Sequence, residues 1–335
     1  MTGPQVSIIV PCYNEEQHIR GLLDAILAQN FSVSQMEVII ADGMSTDKTR
    51  ETIRDFAKVH QQLTIRLIDN PKRNIPSGLN LAIRASEGAY IVRLDAHSVP
   101  EKYYIKTCVD HLKAGKAQNI GGIWLIQPGS ETAIAKAIAT AAAHPLGVGG
   151  AQYRNPKAAA GYVDTVPFGS YRKDFLVDIG LFDETLLSNE DYELNTRIRE
   201  RGGKIYLDPA IRCTYYARHN LKALSKQYYR YGFWKYQMLK RYPESLLLRQ
   251  FLPPVLVFAL LLLLILGLFI PLFLLIFGFV FLLYFFSIFA GTYLVSRSDK
   301  YSFNLHFLMS ISISTMHLSW GFGFLFSPIF AKFRK

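Results

Sequence analysis

Short apolar runs alternate with amphipathic segments through residues 1–200. Apolar runs between turn residues are typical of buried strands, and apolar residues spaced three and four positions apart are typical of helices. The pattern predicts strands over Val6–Val10, Val38–Ala41, Leu63–Ile68 and Tyr90–Leu94, and helices over Glu15–Leu27, after Asp47 and over Ser77–Ala85. Because strands and helices alternate, we expect an α/β fold with a Rossmann-like, mostly parallel sheet and helices on both faces.

The hydropathy changes towards the C-terminus, where residues 250–296 contain no charged side chain. A helix of about 20 apolar residues crosses a bilayer. The candidate membrane helices are Val255–Ile270, Phe273–Val295 and Leu305–Phe330. Gly267 and Pro271 predict a turn between the first two. Histidine, serine and threonine residues interrupt the third, so we expect it to be only partly exposed to lipid.

The net charge of +11 and the isoelectric point near 9.4 come mainly from one part of the chain. Residues 201–250 hold 11 basic and 2 acidic side chains, whereas residues 1–200 hold 21 and 23. A basic segment directly before an apolar span lies on the cytoplasmic side by the positive-inside rule. We therefore expect a multi-pass protein of the inner (plasma) membrane with residues 1–250 in the cytoplasm. The basic segment then faces anionic membrane lipids, and we expect no nucleic acid partner.

The predicted orientation depends on basic side chains at the two ends of the membrane region. They are Lys235, Lys240, Arg241 and Arg249 before the first span, and Lys332, Arg334 and Lys335 at the C-terminus. Three spans would place the C-terminal group outside, against the positive-inside rule. Two spans with a re-entrant or interfacial third segment would keep that group inside, and the sequence leaves both topologies open.

Two common nucleotide-binding motifs are absent from the sequence. It has neither a G-x-x-x-x-G-K-S/T loop nor a G-x-G-x-x-G fingerprint, which argues against a P-loop kinase and against a dinucleotide oxidoreductase. The three cysteines, Cys12, Cys108 and Cys213, are far apart and show no Cys-x-x-Cys spacing, so we expect reduced thiols without a chemical role.

Polar side chains follow three of the predicted strands, in the segments Pro11–Glu16, Asp42–Asp47 and Asp95–His97. Ligands of open α/β sheets bind at the carboxyl ends of the strands, so we expect these segments to meet at one edge. Each also has a structural explanation as a helix cap, a turn or a solvated carboxylate. Asp95 and His97 lie on one side of an extended segment and suit a divalent cation that also holds a diphosphate.

Three further segments carry candidate residues. Asp191, in the first turn of a predicted helix, is either a capping residue or a general base that accepts a proton from an acceptor hydroxyl. Residues Gln227 to Tyr231 lie in the basic, aromatic stretch and indicate an interfacial helix. Lys72 and Arg73 follow the third strand, where they either contact phosphate or form a solvated surface pair.

These motifs resemble those of the family 2 glycosyltransferases with a GT-A catalytic domain, and most of all the membrane-bound bacterial exopolysaccharide transferases of the succinoglycan-biosynthesis type. The resemblance covers about residues 5–250 and extends to the trailing membrane helices. It rests on Val6–Glu16, Asp42–Thr49, Asp95–His97, Asn189–Asp191 and Gln227–Tyr231. Five motifs in the order of the family are far more specific than any one of them.

The resemblance implies roles for the matching residues. Those that bind the nucleoside-diphosphate sugar are Pro11, Tyr13, Glu15, Asp42 and Asp95, and we add Arg73 to them. The metal site for Mg²⁺ or Mn²⁺ is Asp95 with His97, which replaces the second carboxylate of the D-x-D motif. Asp191 is the catalytic base. The residues on the acceptor or diphosphate side are Gln227, Arg230 and Glu190. Tyr231 replaces the tryptophan of the Q-x-x-R-W motif, so we expect a nonprocessive enzyme.

The sequence therefore predicts a cytoplasmic GT-A catalytic domain over 1–220, a basic aromatic interfacial segment over 221–250 and a membrane domain over 251–331 with two or three transmembrane helices. The leading hypothesis is an inverting transferase that moves a sugar from a UDP-sugar to a lipid-linked (polyprenyl diphosphate) oligosaccharide in cell-surface polysaccharide biosynthesis. The alternatives are a polyprenyl-phosphate glycosyltransferase and a catalytically inert membrane scaffold or donor-sensing subunit.

Overall fold

The structure is a computed structural model that describes residues 3–245, 247–296 and 301–330. The strands are β1 Val6–Cys12, β2 Met36–Asp42, β3 Thr64–Asp69, β4 Tyr90–Arg93, β5 Val99–Pro100, β6 Asn119–Gln127, β7 Gly161–Tyr162, β8 Ser170–Arg172 and β9 Ile205–Tyr216. The helices are α1 Ile19–Leu27, α2 Thr49–Val59, α3 Ile75–Ala85, α4 Tyr104–Lys113, α5 Ala133–Ala143, α6 Pro145–Val148, α7 Lys173–Ile179, α8 Glu190–Glu200, α9 Leu221–Leu239, α10 Leu248–Gly267, α11 Leu272–Val295 and α12 Phe303–Phe330.

The chain divides into two compact units, which differ from the predicted domains. The first consists of residues 1–125 and 155–215, and the second of residues 126–154 and 216–335. Residues 126–154, predicted to belong to the catalytic domain, are therefore part of the second unit. The reason is that α5 is almost wholly apolar and packs on α9 and α12. The interfacial segment and the membrane helices likewise form one unit rather than two.

The first unit contains a mixed sheet with the strand order β3-β2-β1-β4-β8-β6-β9-β5, and β7 also pairs with β9. The pairs β1–β2, β1–β4 and β2–β3 are parallel, whereas β4–β8, β6–β8, β5–β9 and β7–β9 are antiparallel. The α/β prediction is confirmed, and all seven elements predicted before residue 95 are present. Helix α1 begins at Ile19 rather than Glu15 because residues 13–17 form a loop that hydrogen bonds to the loop after β2.

Helices cover both faces of the parallel half of the sheet. Ile8 and Val10 of β1 belong to one apolar cluster with side chains of α1, α2 and α4. The alternate residue, Ile9, is equally buried but lies on the opposite face, where α3 packs on β1 and β2. Successive side chains of a strand point to opposite faces. A strand that is buried on both faces is therefore a continuous apolar run, which is the pattern seen in the sequence.

Two helices of the second unit are long and apolar enough to cross a membrane, among the residues that the structure describes. The candidate spans are Gln250–Gly267 in α10 and Leu272–Val295 in α11. Of the most apolar 18 residues of each span, only 22% and 6% are buried inside the protein. Because the described protein leaves most of these apolar side chains uncovered, burial in a core does not account for their composition. The break after Gly267, with Pro271 directly before α11, confirms the predicted turn.

Helix α12, the third candidate, is packed within the second unit. It contacts α5, α9, α10 and α11, and it buries Met309, Ile313 and Met316 completely. Its serines bond to neighbouring helices: Ser319 Oγ lies 2.8 Å from Ser225 Oγ, and Ser327 Oγ donates to the carbonyl of Phe233 at 2.9 Å. This packing within the protein agrees with the partial exposure predicted from the polar residues of α12.

The basic side chains before α10 do not all face outwards, contrary to the prediction that they meet lipid headgroups. Lys235 is 3% exposed, and its Nζ donates to the backbone carbonyl of Ser245 at 2.8 Å. Burial of an ammonium group is tolerated only where such bonds replace water. The side chain of Arg249 and the C-terminal Lys332, Arg334 and Lys335 lie outside the described residues.

Candidate active site

The loops after β1 and β2 meet at the carboxyl edge of the parallel strands, as predicted. The parallel register places Cys12 beside Asp42. The backbone N–H of Asn14 donates to Ser45 Oγ at 2.8 Å, and the N–H of Glu15 donates to the hydroxyl of Thr49 at 2.7 Å. Asn14 has a positive φ of 53°, which asparagine tolerates better than most residues. The two motifs therefore build one continuous wall.

Asp42 is buried in this wall and holds its shape. Its side chain is 0% exposed and pairs with the guanidinium of Arg50 at 2.8 Å. It also accepts from the backbone N–H and the hydroxyl of Ser45, at 3.0 and 2.5 Å. The second Arg50 nitrogen lies 2.7 Å from Asp69, at the end of β3. The predicted nucleoside-binding residue is thus placed to fix the loop, and its carboxylate is not exposed on the surface.

Tyr13 is the exposed member of the same wall. Its side chain is 48% exposed, and Gly43 leaves room for the ring, because a Cβ added at Gly43 would come within 3.3 Å of Tyr13 Cδ2. Pro11, at the penultimate position of β1, is partly buried. Arg73 is exposed in the loop after β3, with a positive φ of 52°. The structure therefore places these three predicted donor-binding residues at one edge of the sheet.

A carboxylate between two imidazoles connects the loop after β1 to the loop after β4. Glu15 Oε1 lies 3.0 Å from His97 Nδ1, and Glu15 Oε2 lies 3.0 Å from His18 Nδ1. A carboxylate that accepts the Nδ1–H of a histidine leaves the lone pair on Nε2, an arrangement common among metal-binding histidines. Glu15, predicted to bind the nucleoside, thus also orients His97.

A buried guanidinium connects β4 to α8. Arg93 Nε donates to Asp95 Oδ1 at 3.2 Å, and Arg93 Nη2 donates to Glu190 Oε1 at 3.0 Å. The side chains of Arg93 and Glu190 are 5% and 7% exposed. Glu190 therefore lies in the interior beside Arg93 and does not face the acceptor or the diphosphate as predicted. A carboxylate taken out of water needs a cation beside it, and Arg93 supplies that cation.

The charges in this cluster set the ionisation of its members. Burial alone would lower the pKa of Arg93, but Asp95, Glu190 and Asp191 raise it above its ordinary value, so the guanidinium stays protonated. Burial raises the pKa of Glu190, and Arg93 opposes that rise. Three carboxylates around one guanidinium leave an excess of negative charge at this edge.

Asp191 is half-buried in the first turn of α8, where the helix dipole favours a negative charge. Asn195, one turn further along, is fully buried and anchors the helix. The Nδ2 of Asn119 on β6 donates to Asn195 Oδ1 at 2.7 Å, and Asn195 Nδ2 donates to the hydroxyl of Thr165 at 2.9 Å. The predicted base therefore sits on a helix that the sheet holds in place.

The residue types at this edge fit a divalent cation. Among the described residues, no group of three His, Cys, Asp or Glu side chains is arranged to hold a metal ion by itself. Mg²⁺ sites that hold substrate phosphates commonly use only one or two protein carboxylates. Asp95, with His97 oriented by Glu15, would supply the protein ligands, and the excess negative charge of the cluster favours a cation.

The remaining predicted residues lie on α9 of the second unit. Gln227 Nε2 donates to the hydroxyl of Tyr231 at 2.8 Å, one helical turn away. A tryptophan at position 231 would offer only a donor, so this bond depends on the tyrosine that departs from the family motif. Arg230 is exposed on the same helix.

Sequence reasoning missed Arg93, Arg50, His18 and Asn195. The signal for Arg93 was present, because a single charge stands within the otherwise apolar run Tyr90–Leu94. A charge in a strand buried on both faces requires a partner. The identity of that partner could not be read from the chain, since Glu190 lies 97 positions further along.

Comparison with known proteins identifies the family of the chain. The family described as "Glycosyl transferase family 2" matches residues 7–179. The chain is 30% identical, over 70% of its length and 74% of the relative's, to a dolichyl N-acetyl-α-D-glucosaminyl phosphate 3-β-D-2,3-diacetamido-2,3-dideoxy-β-D-glucuronosyltransferase of Methanococcus voltae. It is 31% identical, over 76% of each chain, to the succinoglycan biosynthesis protein ExoA of Rhizobium meliloti.

A solved structure extends the similarity to the whole fold. The mannosyltransferase PcManGT from Pyrobaculum calidifontis, determined in complex with GDP-Man and Mn²⁺, aligns with a TM-score of 0.60 at 16% identity. The alignment covers 94% of this chain and 86% of that one. The likeness shows a shared architecture.

Proposed function

Because the chain belongs to glycosyl transferase family 2 and is a glycosyltransferase with a GT-A-like catalytic unit, we propose that it moves a sugar, with inversion, from a nucleoside-diphosphate sugar to a lipid-linked acceptor. The observation that carries the proposal is the cluster at the carboxyl edge of the sheet. There Arg93 contacts both Asp95, on the predicted donor side, and Glu190, the neighbour of the predicted base Asp191.

The transfer reaction requires removal of a proton from the acceptor hydroxyl and stabilisation of the negative charge on the leaving diphosphate. In a single displacement, the acceptor oxygen loses its proton and bonds to the anomeric carbon, while the bond from that carbon to the diphosphate oxygen breaks. Asp191 would accept the proton. The nucleoside diphosphate leaves with the electron pair of the broken bond, and a divalent cation held by Asp95 and His97 would supply electrostatic stabilisation of its phosphates. No covalent enzyme nucleophile is needed, and one displacement inverts the anomeric carbon.

The donor site would use the wall formed by the loops after β1 and β2. The exposed ring of Tyr13 would offer an apolar face to the nucleoside, and Pro11 is partly buried near the end of the same strand. Asp42 would act by holding the loop through Ser45 and Arg50, since its carboxylate is buried. Arg73 is exposed at the same edge and would meet a phosphate.

Two observations support a lipid-linked acceptor. The same polypeptide carries two apolar, largely uncovered helices that are long enough to cross a membrane. The Methanococcus relative is named for an acceptor that is itself a dolichyl phosphate derivative. We extend this to a multi-pass protein whose catalytic unit faces the cytoplasm, where nucleotide sugars are found, with Gln227 and Arg230 on the acceptor or diphosphate side.

The decisive experiment is a transfer assay with the full-length protein in membranes, a panel of labelled UDP- and GDP-sugars, and extracted membrane lipids with Mg²⁺ or Mn²⁺. Asp191→Asn is expected to lower turnover by at least about 100-fold, because the amide cannot accept the proton. Binding of the nucleotide is expected to stay unchanged. Asp178→Asn is the matched control, since Asp178 is 77% exposed and pairs with the surface residue Arg201.

The outcomes separate the hypotheses. Transfer to extracted glycolipid that depends on Asp191 supports the proposal, whereas transfer only to added polyprenyl phosphate identifies a carrier-charging enzyme. Nucleotide binding without any transfer would favour a scaffold. Undiminished turnover of Asp191→Asn would refute the assignment of the base.

A further inference from the structure

Arg93 has a buried guanidinium that bonds to the carboxylates of Asp95 and Glu190. It occupies the last position of β4, two residues before Asp95, and only 4% of the residue is exposed. Leu94 N–H continues the pairing with β1 by donating to the carbonyl of Ile9 at 3.1 Å. The central strands therefore hold in place the backbone that carries the Arg93 side chain.

The side chain of Arg93 spans from this rigid strand to the start of α8. One nitrogen donates to Asp95 at 3.2 Å and another to Glu190, the first residue of α8, at 3.0 Å. The planar guanidinium fixes the angle between its nitrogens, so two carboxylates bound by different nitrogens are held at a set separation. Asp191 directly follows Glu190 in the helix.

The arrangement is not the one that stability alone would favour. Arg93 Nη1 has no hydrogen-bond partner within the described ranges 3–245, 247–296 and 301–330, and the same is true of the buried hydroxyl of Tyr171. A buried donor without a partner destabilises a protein, and an apolar residue of similar size would avoid this. The arginine is therefore better explained by the geometry that it imposes.

We propose that Arg93 is a positioning residue that sets the distance between the donor-side carboxylate Asp95 and the helix start that carries Asp191. The inference rests on the proposed function. In that function Asp95 would hold the cation that stabilises the leaving diphosphate and Asp191 would accept the proton of the attacking hydroxyl, so the link between them would align the two ends of the displacement. Misplacement of a reacting group by about 1 Å can lower a rate about 100-fold.

Three variants test the link. Arg93→Met removes it, and Arg93→Lys keeps the charge but offers one point of attachment instead of a planar fork. Arg93→Met leaves Glu190 buried without a cation and is at risk of not folding. The double variant Arg93→Met/Glu190→Gln removes both charges of that pair and is compared with Glu190→Gln alone. Arg66→Met is the matched control, because Arg66 also lies beside a buried glutamate, Glu37, but at the opposite edge of the sheet.

The first measurement is kinetic. We expect kcat to fall about 100-fold in Arg93→Lys, and by a similar factor in the double variant relative to Glu190→Gln. The KM for the donor, and the binding of UDP and GDP with Mn²⁺ by calorimetry, should change little. Wild-type turnover in Arg93→Lys would mean that charge alone matters and would overturn the inference. An equal loss of kcat and of nucleotide binding would also overturn it, because that result indicates a general structural defect.

The second measurement does not depend on transfer. Hydrogen exchange of the full-length protein is expected to become faster at residues 190–194 in the double variant, and to remain at the wild-type rate there in Arg66→Met. Unchanged exchange at the start of α8 in the double variant would overturn the inference even if the enzyme were active. A wild-type protein that transfers no sugar would refute the proposed function, and the exchange data would still decide the role of Arg93.

Discussion

Asn195 offers a test of how the helix that carries Asp191 is held in place. The residue is fully buried, and its amide bonds to Asn119 on β6 at 2.7 Å and to Thr165 at 2.9 Å. Asn119 in turn accepts from the backbone N–H of Ser170 on β8 at 3.2 Å. Asn195→Ala removes the centre of this network without changing the apolar core.

The magnitude follows from the groups left behind. Asn119 Nδ2 loses its acceptor and the Thr165 hydroxyl loses its donor, and each buried polar group without a partner costs about 1–3 kcal/mol. The free energy of unfolding should therefore fall by about 2–6 kcal/mol, which is a large part of the 5–15 kcal/mol typical of a domain. For a domain of this size, each kcal/mol lowers the melting temperature by about 2–4 °C.

The assay is thermal unfolding of the full-length protein in detergent, followed by tryptophan fluorescence. Trp124 reports on the first unit, since its ring stacks on Tyr215 with centroids 4.1 Å apart. Asn30→Ala is the control, because Asn30 is exposed and its side chain has no hydrogen bond to another described residue. Such a surface change is expected to alter stability by less than about 0.5 kcal/mol.

Two results would refute this reasoning. If Asn195→Ala melted within the range of Asn30→Ala, the buried amide would not be anchoring α8. If Asn195→Ala were strongly destabilised but transferred sugar at the wild-type rate below its melting temperature, the anchor would support the fold without positioning Asp191.

Two further predictions concern the rest of the chain. A bond from Lys72 lowers the pKa of Glu184, so Glu184 stabilises the fold above the ordinary pKa of a glutamate, about 4.3, and this contribution is lost as the pH falls below that value. Glu184→Gln should therefore flatten the acidic part of a plot of melting temperature against pH. An unchanged plot would contradict the assignment. Gly323→Ala should destabilise the protein by about 1–3 kcal/mol in thermal unfolding, because the added Cβ would come within 2.0 Å of the carbonyl of Tyr229 on α9. Gly278→Ala is the control, since a Cβ at Gly278 meets open space and should not destabilise the protein. Equal melting temperatures of the two variants would contradict the close packing of α12.

The candidate site shows where sequence reasoning was sufficient and where it was not. The three loops after β1, β2 and β4 were expected to meet, and the bonds between Asn14, Glu15, Ser45 and His97 confirm it. The expected environments of individual residues were less reliable. Asp42 proved to be buried and Glu190 proved to pair with Arg93, because a motif identifies a residue type but not the direction of its side chain.

By itself the sequence determined the order of strands and helices, the two apolar helices with their break near Pro271, and the acidic residues that follow the strands. These features depend on the polarity and spacing of residues that are neighbours in the chain, so periodicity reveals them. Tertiary structure alone decided which distant groups share a charge or a hydrogen bond. Glu15 and His97 are 82 positions apart and Arg93 and Glu190 are 97 apart, and residues 126–154 join a unit whose other members begin at residue 216. These contacts depend on the order in which strands and helices pack, because a buried charge or an apolar helix can be satisfied by any complementary partner that the fold brings to it.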